Sequence, residues 1–131
     1  MTQGRSVRLR VAIAGAGLMG RWHAQAARRA GAEVVAAADP DIARAARLAP
    51  SAYPDLGTLL AATTPDVLHL CTPTVTHGPL LRLTAAQGVH ALAEKPLASD
   101  LAETRALLEG AAASGTSLCP VHQYAFQSGI E

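Results

Sequence analysis

Three groups of residues in this chain have the types and spacing to do chemistry. The first is Glu94-Lys95-Pro96, directly after the apolar run Val89 to Ala93. A lysine at the carboxyl end of a strand is a cation placed where a reacting group can sit. It could hydrogen-bond a substrate hydroxyl and take part in proton transfer as hydride leaves the carbon. It could equally hold an oxygen that gains negative charge during carbonyl reduction. Pro96 fixes the backbone after it, through a trans or a cis peptide. The second group is Thr72-Pro73-Thr74-Val75-Thr76-His77, a polar, proline-stiffened loop after another apolar run, Val67 to Cys71. It either packs on the nicotinamide half of a cofactor, with His77 turned to the ribose or the substrate, or is a turn at Pro73 with His77 capping the next helix.

The third group is the glycine turn Gly15-Ala16-Gly17-Leu18-Met19-Gly20, which follows the apolar stretch Val11 to Ala14. Its G-x-G-x-x-G spacing suits a dinucleotide. Gly15 turns sharply out of a strand, Gly17 lets backbone approach a pyrophosphate, and Gly20 lets the following helix pack closely. The first N–H groups of that helix face the phosphates with the positive end of its dipole. Asp39 ends the next apolar run, Val34 to Ala38, where a carboxylate accepts hydrogen bonds from ribose hydroxyls. A carboxylate there repels a 2′-phosphate, so NAD is expected over NADP. Asp41 adds to that preference and Arg44 is the nearby residue that softens it. His122, Gln123 and Tyr124, after the last apolar run, either face the same crevice or step out of the sheet.

These groups need elements to hold them. The predicted strands are Arg8 to Ala14, Glu33 to Ala38, a short one at Tyr53, Val67 to Cys71, Val89 to Ala93 and Ser117 to Val121. The predicted helices are Leu18 to Ala30, Ile42 to Leu48 capped by Asp41, one starting near Asp55, one ending at Gln87, and one capped by Ser99 or Asp100 and running to about Ala113. Gly31, Gly88 and Gly115 stop three of them. Trp22 is expected to be a packing residue, and His23 to lie on the surface or near the cofactor mouth. Alternation of short apolar strands with helices gives right-handed βαβ units. The expected fold is therefore α/β, a doubly wound parallel sheet of about six strands with helices on both faces, and its ligand crevice at the carboxyl ends of the strands. Every polar group above falls at such an end.

Composition sets bounds. Half of the 131 residues are hydrophobic and 3% are aromatic, so small apolar side chains carry the core. The formal net charge of +1 offers no electrostatic basis for binding nucleic acid or an anionic membrane. No apolar run approaches membrane-spanning length. Arg8, Arg10 and the apolar stretch after them imitate a signal peptide, but cleavage there would destroy the strand and glycine turn. Cys71 and Cys119 lack metal or redox spacing. Both are expected to be buried free thiols, which favours a reducing compartment and a cytoplasmic location.

Taken together, the glycine turn, the acidic end of the second strand, Thr72-Pro73…His77 and Glu94-Lys95-Pro96 resemble the Gfo/Idh/MocA oxidoreductases (glucose–fructose oxidoreductase, inositol dehydrogenase and relatives). The resemblance runs from Leu9 to about Phe126, and Glu94-Lys95-Pro96 is its most specific part. It implies an NAD(P)-binding Rossmann domain at residues 8–121, preceded by a disordered tail at 1–7 and followed, at 122–131, by the start of a connection to a substrate domain. It implies that Gly15, Gly17, Leu18, Met19 and Gly20 hold the phosphates and Asp39 the ribose. Thr72, Pro73 and His77 would line the nicotinamide side, with Glu94 and Pro96 close by and Lys95 as the catalytic or substrate-orienting residue. Hydride would then pass between nicotinamide and a secondary alcohol carbon of a sugar, cyclitol or similar small molecule. The family's Asp-x-x-x-His pair, carried on its second domain, has no counterpart in this sequence. The expected partners are a nicotinamide dinucleotide and a small-molecule substrate, with no nucleic acid and no membrane. A second copy or a complementary domain would be the protein partner. Two other readings of the same residues are a non-catalytic NAD(H)-binding module acting with another chain, and a domain for another adenine-containing ligand.

Overall fold

The computed structural model describes residues 7–126 and 128–129. The tail expected at residues 1–7 lies outside them except for Val7, which is exposed. So do positions 127, 130 and 131 of the expected connection. Six strands, β1 (Arg10–Ala14), β2 (Glu33–Ala38), β3 (Ser51–Tyr53), β4 (Val67–Leu70), β5 (His90–Ala93) and β6 (Leu118–Pro120), form one sheet. Its order is β3-β2-β1-β4-β5-β6 and every pairing is parallel. Five helices connect the strands: α1 (Leu18–Arg29), α2 (Ile42–Leu48), α3 (Leu56–Ala62), α4 (His77–Ala86) and α5 (Leu101–Ala113). This is the doubly wound architecture. The chain first winds outward from β1 to β3, then returns across β1 to β4 and winds the other way. The loops after β1 and β4 therefore part from one another, and a crevice opens at their carboxyl ends.

The period-2 pattern of the strands sends residues alternately to two apolar layers, broken once in β2, where the pairing with β1 skips Val35. Ala12, Ala14, Ala36, Ala38, Leu68, Leu70, Ala91 and Ala93 face α3, α4 and α5. Val11, Ile13, Val34 and Ala37 face α1 and α2, against Ala24, Ala27, Ala45 and Leu48. Alanine-rich strands bring helices close, and α1 exploits this at Gly20: a Cβ there would overlap the carbonyl oxygen of Gly15. On the α1–α2 side the cover thins beyond β1, where α1 reaches β4 through His23 against His69. Val67, His69 and Leu92 are half-buried there and Cys119 is exposed. The expectation that Cys119 is buried is therefore corrected. It lies on an edge strand, on the face that no helix covers among the described residues. Cys71 is half-buried, and both thiols are free.

Local signals explain the element ends. Asp41, Asp55 and Asp100 cap α2, α3 and α5, each accepting a backbone N–H from the first turn. The α1, α4 and α5 helices are each followed by a glycine in the left-handed region, Gly31, Gly88 and Gly115 (φ +88°, +70° and +69°). The first strand starts at Arg10 rather than Arg8, and β4 ends at Leu70, where the ladder with β1 stops. Two side chains differ from expectation. Trp22 is 56% exposed and His23 is buried. The buried stripe of α1 is Gly20, His23, Ala24 and Ala27, at i, i+3, i+4 and i+7, which leaves Trp22 on the outer side. Among the described residues no helix is long and apolar enough to cross a membrane.

Candidate functional site

The glycine turn sits at the centre of the crevice. Gly15 has φ +91°, and a Cβ there would lie 2.5 Å from the Cys71 carbonyl oxygen, so the turn accepts only glycine. Its N–H bonds the Ala38 carbonyl, which ties the turn to the end of β2. Gly17 is the N-cap of α1. It provides no side-chain cap, and the first helical turn contains no acidic residue. This contrasts with the three aspartate-capped helices. The first N–H groups of α1 are thus left for an external acceptor, and nothing lies within 4 Å of the place a Gly17 Cβ would occupy. Leu18 and Met19 are exposed on the first turn and Gly20 is buried beneath it.

Asp39 stands opposite. Its Oδ2 accepts from the Ala16 N–H at 2.9 Å and its Oδ1 from the Asp41 N–H at 2.8 Å. These bonds fix the carboxylate between the glycine turn and the β2–α2 loop. An ionised carboxylate has about four acceptor sites, so two remain for a diol. A cleft of about 410 Å³ runs between them. Gly15, Gly17, Asp39 and Pro40 line one wall, Thr72, Pro73 and Thr76 the other, and Leu56 and Leu80 give it an apolar floor. A glycine turn, a free helix N-terminus and a fixed carboxylate around an apolar slot fit the phosphates, ribose and adenine of a dinucleotide. A second groove, of about 500 Å³, flanks Gly17 on the α1–α2 side and carries Arg21, Arg44 and Arg47. Sequence reasoning found Arg44 but missed the other two arginines, which share a surface only once α1 and α2 are packed.

His77 is the first residue of α4. It is 1% exposed, with Nδ1 3.1 Å from the Leu97 carbonyl and Nε2 2.9 Å from the Thr72 carbonyl. Its ring braces the β4 loop against the β5 loop and does not open into the cleft. Thr72 Oγ1 lies 2.7 Å from Thr76 Oγ1, which folds the Thr72-Pro73 loop back on a 3-10 turn at Thr74–Thr76.

Glu94, Lys95 and Pro96 follow β5, one strand further along, and the Lys95–Pro96 peptide is cis. Lys95 and Pro96 are exposed, and Glu94 is half-buried. His23 Nε2 approaches Glu94 Oε1 at 2.8 Å, and His23 Nδ1 lies 3.1 Å from His69 Nδ1. Burial, aided by the neighbouring His23, lowers His69 to about 4. Burial, aided by Glu94, pushes the Cys71 thiol up to about 12, so it stays protonated at neutral pH. His122 and Gln123 are exposed beyond the edge strand, away from the cleft lining. Among the described residues no cluster of three or more His, Cys, Asp or Glu side chains is placed to hold a metal.

This fold and this crevice define a dinucleotide-binding Rossmann domain. Comparison with known proteins gives the family. Residues 9–122 match the model described as the Gfo/Idh/MocA oxidoreductase family, NAD-binding Rossmann fold, and the chain belongs to that family. Inositol 2-dehydrogenase 4 of Saccharopolyspora erythraea is 38% identical over 120 residues, 86% of this chain and 36% of that protein. D-apiose dehydrogenase of Paraburkholderia graminis is 33% identical over 131 residues, 95% of this chain and 35% of that protein. An NAD binding oxidoreductase from Klebsiella pneumoniae superposes with a TM-score of 0.81 at 29% identity, covering 88% of this chain and 34% of that one. The chain thus spans about a third of the length of the curated relatives it matches.

Proposed function

We propose that this chain is the cofactor-holding part of an enzyme that moves hydride between NAD and a secondary alcohol carbon of a sugar, cyclitol or similar small molecule. The observation that carries this reading is the pairing of the uncapped α1 N-terminus with the fixed Asp39 carboxylate across one cleft. When bound, the nicotinamide supplies the hydride acceptor or donor. The chain's own residues do the rest. Gly15 and Gly17 bring backbone to the pyrophosphate, and the first N–H groups of α1 neutralise its charge. Asp39 takes the ribose hydroxyls. Thr72 and Pro73 line the nicotinamide side, and His77 holds their loop from behind. Lys95, exposed after the next strand, orients the substrate hydroxyl and handles its proton. The inositol and apiose dehydrogenases among the relatives support a polyol substrate. The substrate itself is held by a further domain working against this one.

Calorimetric titration with NAD and NADP tests this reading. NAD should bind at least about tenfold tighter, a difference of about 1.4 kcal/mol, because Asp39 repels the 2′-phosphate. Asp39→Ser should narrow the gap, helped by Arg21, Arg44 and Arg47. A folded chain that binds neither cofactor, or that binds NADP as tightly as NAD, would overturn the assignment of the cleft.

A further inference from the structure

One polar cluster lies outside the lining of the cleft. His23 from α1, His69 from β4 and Glu94 after β5 come from three elements and meet in a line. The line has a direction. An ionised carboxylate only accepts, so His23 Nε2 carries the hydrogen shared with Glu94 Oε1. With His23 neutral, its other nitrogen is bare and His23 Nδ1 accepts, so the hydrogen in the 3.1 Å contact between the two Nδ1 atoms belongs to His69. A protonated His23 would donate from both nitrogens and reverse that contact, so the directed arm is the neutral-His23 state. At its far end, Glu94 Oε2 accepts a long bond, 3.3 Å, from the Lys95 backbone N–H.

We infer that His69 and His23 form a two-imidazole arm of fixed tautomer that positions the Glu94 carboxylate, and through it the Lys95–Pro96 segment, at the nicotinamide side of the site. They are positioning residues, neither reaching the cofactor itself, and the inference rests on the reading of Lys95 given above. Two features support it. His23 is buried and its ring meets that of His69 edge to face, with centroids 5.1 Å apart. Burial also keeps His69 neutral, as the directed chain requires.

The test has a spectroscopic and a binding arm. Long-range proton–nitrogen spectra of the uniformly ¹⁵N-labelled chain at neutral pH report which ring nitrogen of each histidine is protonated. The expected result is Nδ1–H on His69 and Nε2–H on His23. Two variants then separate positioning from bulk. His69→Asn keeps an N–H donor close to where Nδ1 stands, and His69→Leu removes it. Calorimetry with NAD and with ADP-ribose, which lacks the nicotinamide, reads the consequence. His69→Leu should weaken NAD by about three- to tenfold, the scale of one lost hydrogen bond, and leave ADP-ribose within about twofold. His69→Asn should restore NAD binding. A hydrogen on Nε2 of His69, or equal behaviour of the two variants, would overturn the inference. Absence of NAD and ADP-ribose binding by the unaltered chain would instead refute the cofactor reading, with the arm still judged by its tautomers.

Discussion

Gly20→Ala and Gly17→Ala should behave as opposites, although both add one methyl to the same turn. At Gly20 the new Cβ would overlap the Gly15 carbonyl oxygen and press on the side chain of Ile13 at 3.4 Å. Alanine gains about 1 kcal/mol in helix propensity over glycine. Overpacking costs about 1–3 kcal/mol where side chains can yield. Here the obstacle is backbone already pinned to β2 by the Gly15–Ala38 hydrogen bond, so the upper end applies. The expected net loss is about 2 kcal/mol. With an m-value of about 2 kcal/mol per molar urea, that lowers the unfolding midpoint by about 1 M. At Gly17 nothing lies within 4 Å and the backbone (φ −78°, ψ −158°) suits any residue. Alanine there should hold or raise stability by about 0.4–1 kcal/mol. It should weaken NAD by at least about tenfold, since its methyl stands in the path of the pyrophosphate. Urea denaturation followed by circular dichroism, with calorimetry on the same samples, reads both. An unchanged midpoint for Gly20→Ala would refute the close seating of α1 on the turn. Unaltered NAD binding by Gly17→Ala would refute the approach of phosphate at that point.

Two further predictions concern groups beside Glu94 and on the open sheet face. Unfolded, His69 takes up a proton below about pH 6.5; folded, it resists until about 4. Lowering the pH through that interval favours the unfolded chain, and the loss levels off below about pH 4. Solvent access to the half-buried ring limits the effect to about 2–3 kcal/mol. Urea unfolding of the chain and of His69→Phe between pH 7 and 4 should show the steeper fall only in the unaltered protein, and parallel profiles would contradict it. The thiols should also separate kinetically. Cys119 is exposed, whereas Cys71 is half-buried and pushed up to about 12. A disulfide reagent at neutral pH should modify one thiol rapidly, and Cys119→Ser should abolish that fast phase; two equal fast phases would show Cys71 to be accessible.

What could be read from the sequence follows the range of the interactions involved. The bounds of β2 and α2 and the caps at Asp41 and Asp100 depend on residues a few positions apart, and they were legible. So was the turn at Gly15, because its spacing encodes the geometry. Trp22 and His23 were not, since both fit a helix and only packing against β1 and β4 decides which of them is buried. The burial of His77 depends on the Leu97 carbonyl, twenty residues away. His69 was hidden inside an apolar strand, and its partner ring belongs to a helix 46 residues earlier. Nothing in the sequence singled out Arg21 and Arg47, which only the packing of α1 and α2 sets beside one groove.

The glycine-stopped turns after α1, α4 and α5 all lie at the amino ends of the strands, at the edge of the sheet remote from the crevice. A Cβ at Gly31, Gly88 or Gly115 would meet no neighbour within 4 Å, so space outward of each is open. This end of the molecule is a handle. A fluorophore or surface tether placed beside these turns, at Arg29, Gln87 or Ser114, would report on or immobilise the domain with the whole height of the sheet between it and the cofactor mouth.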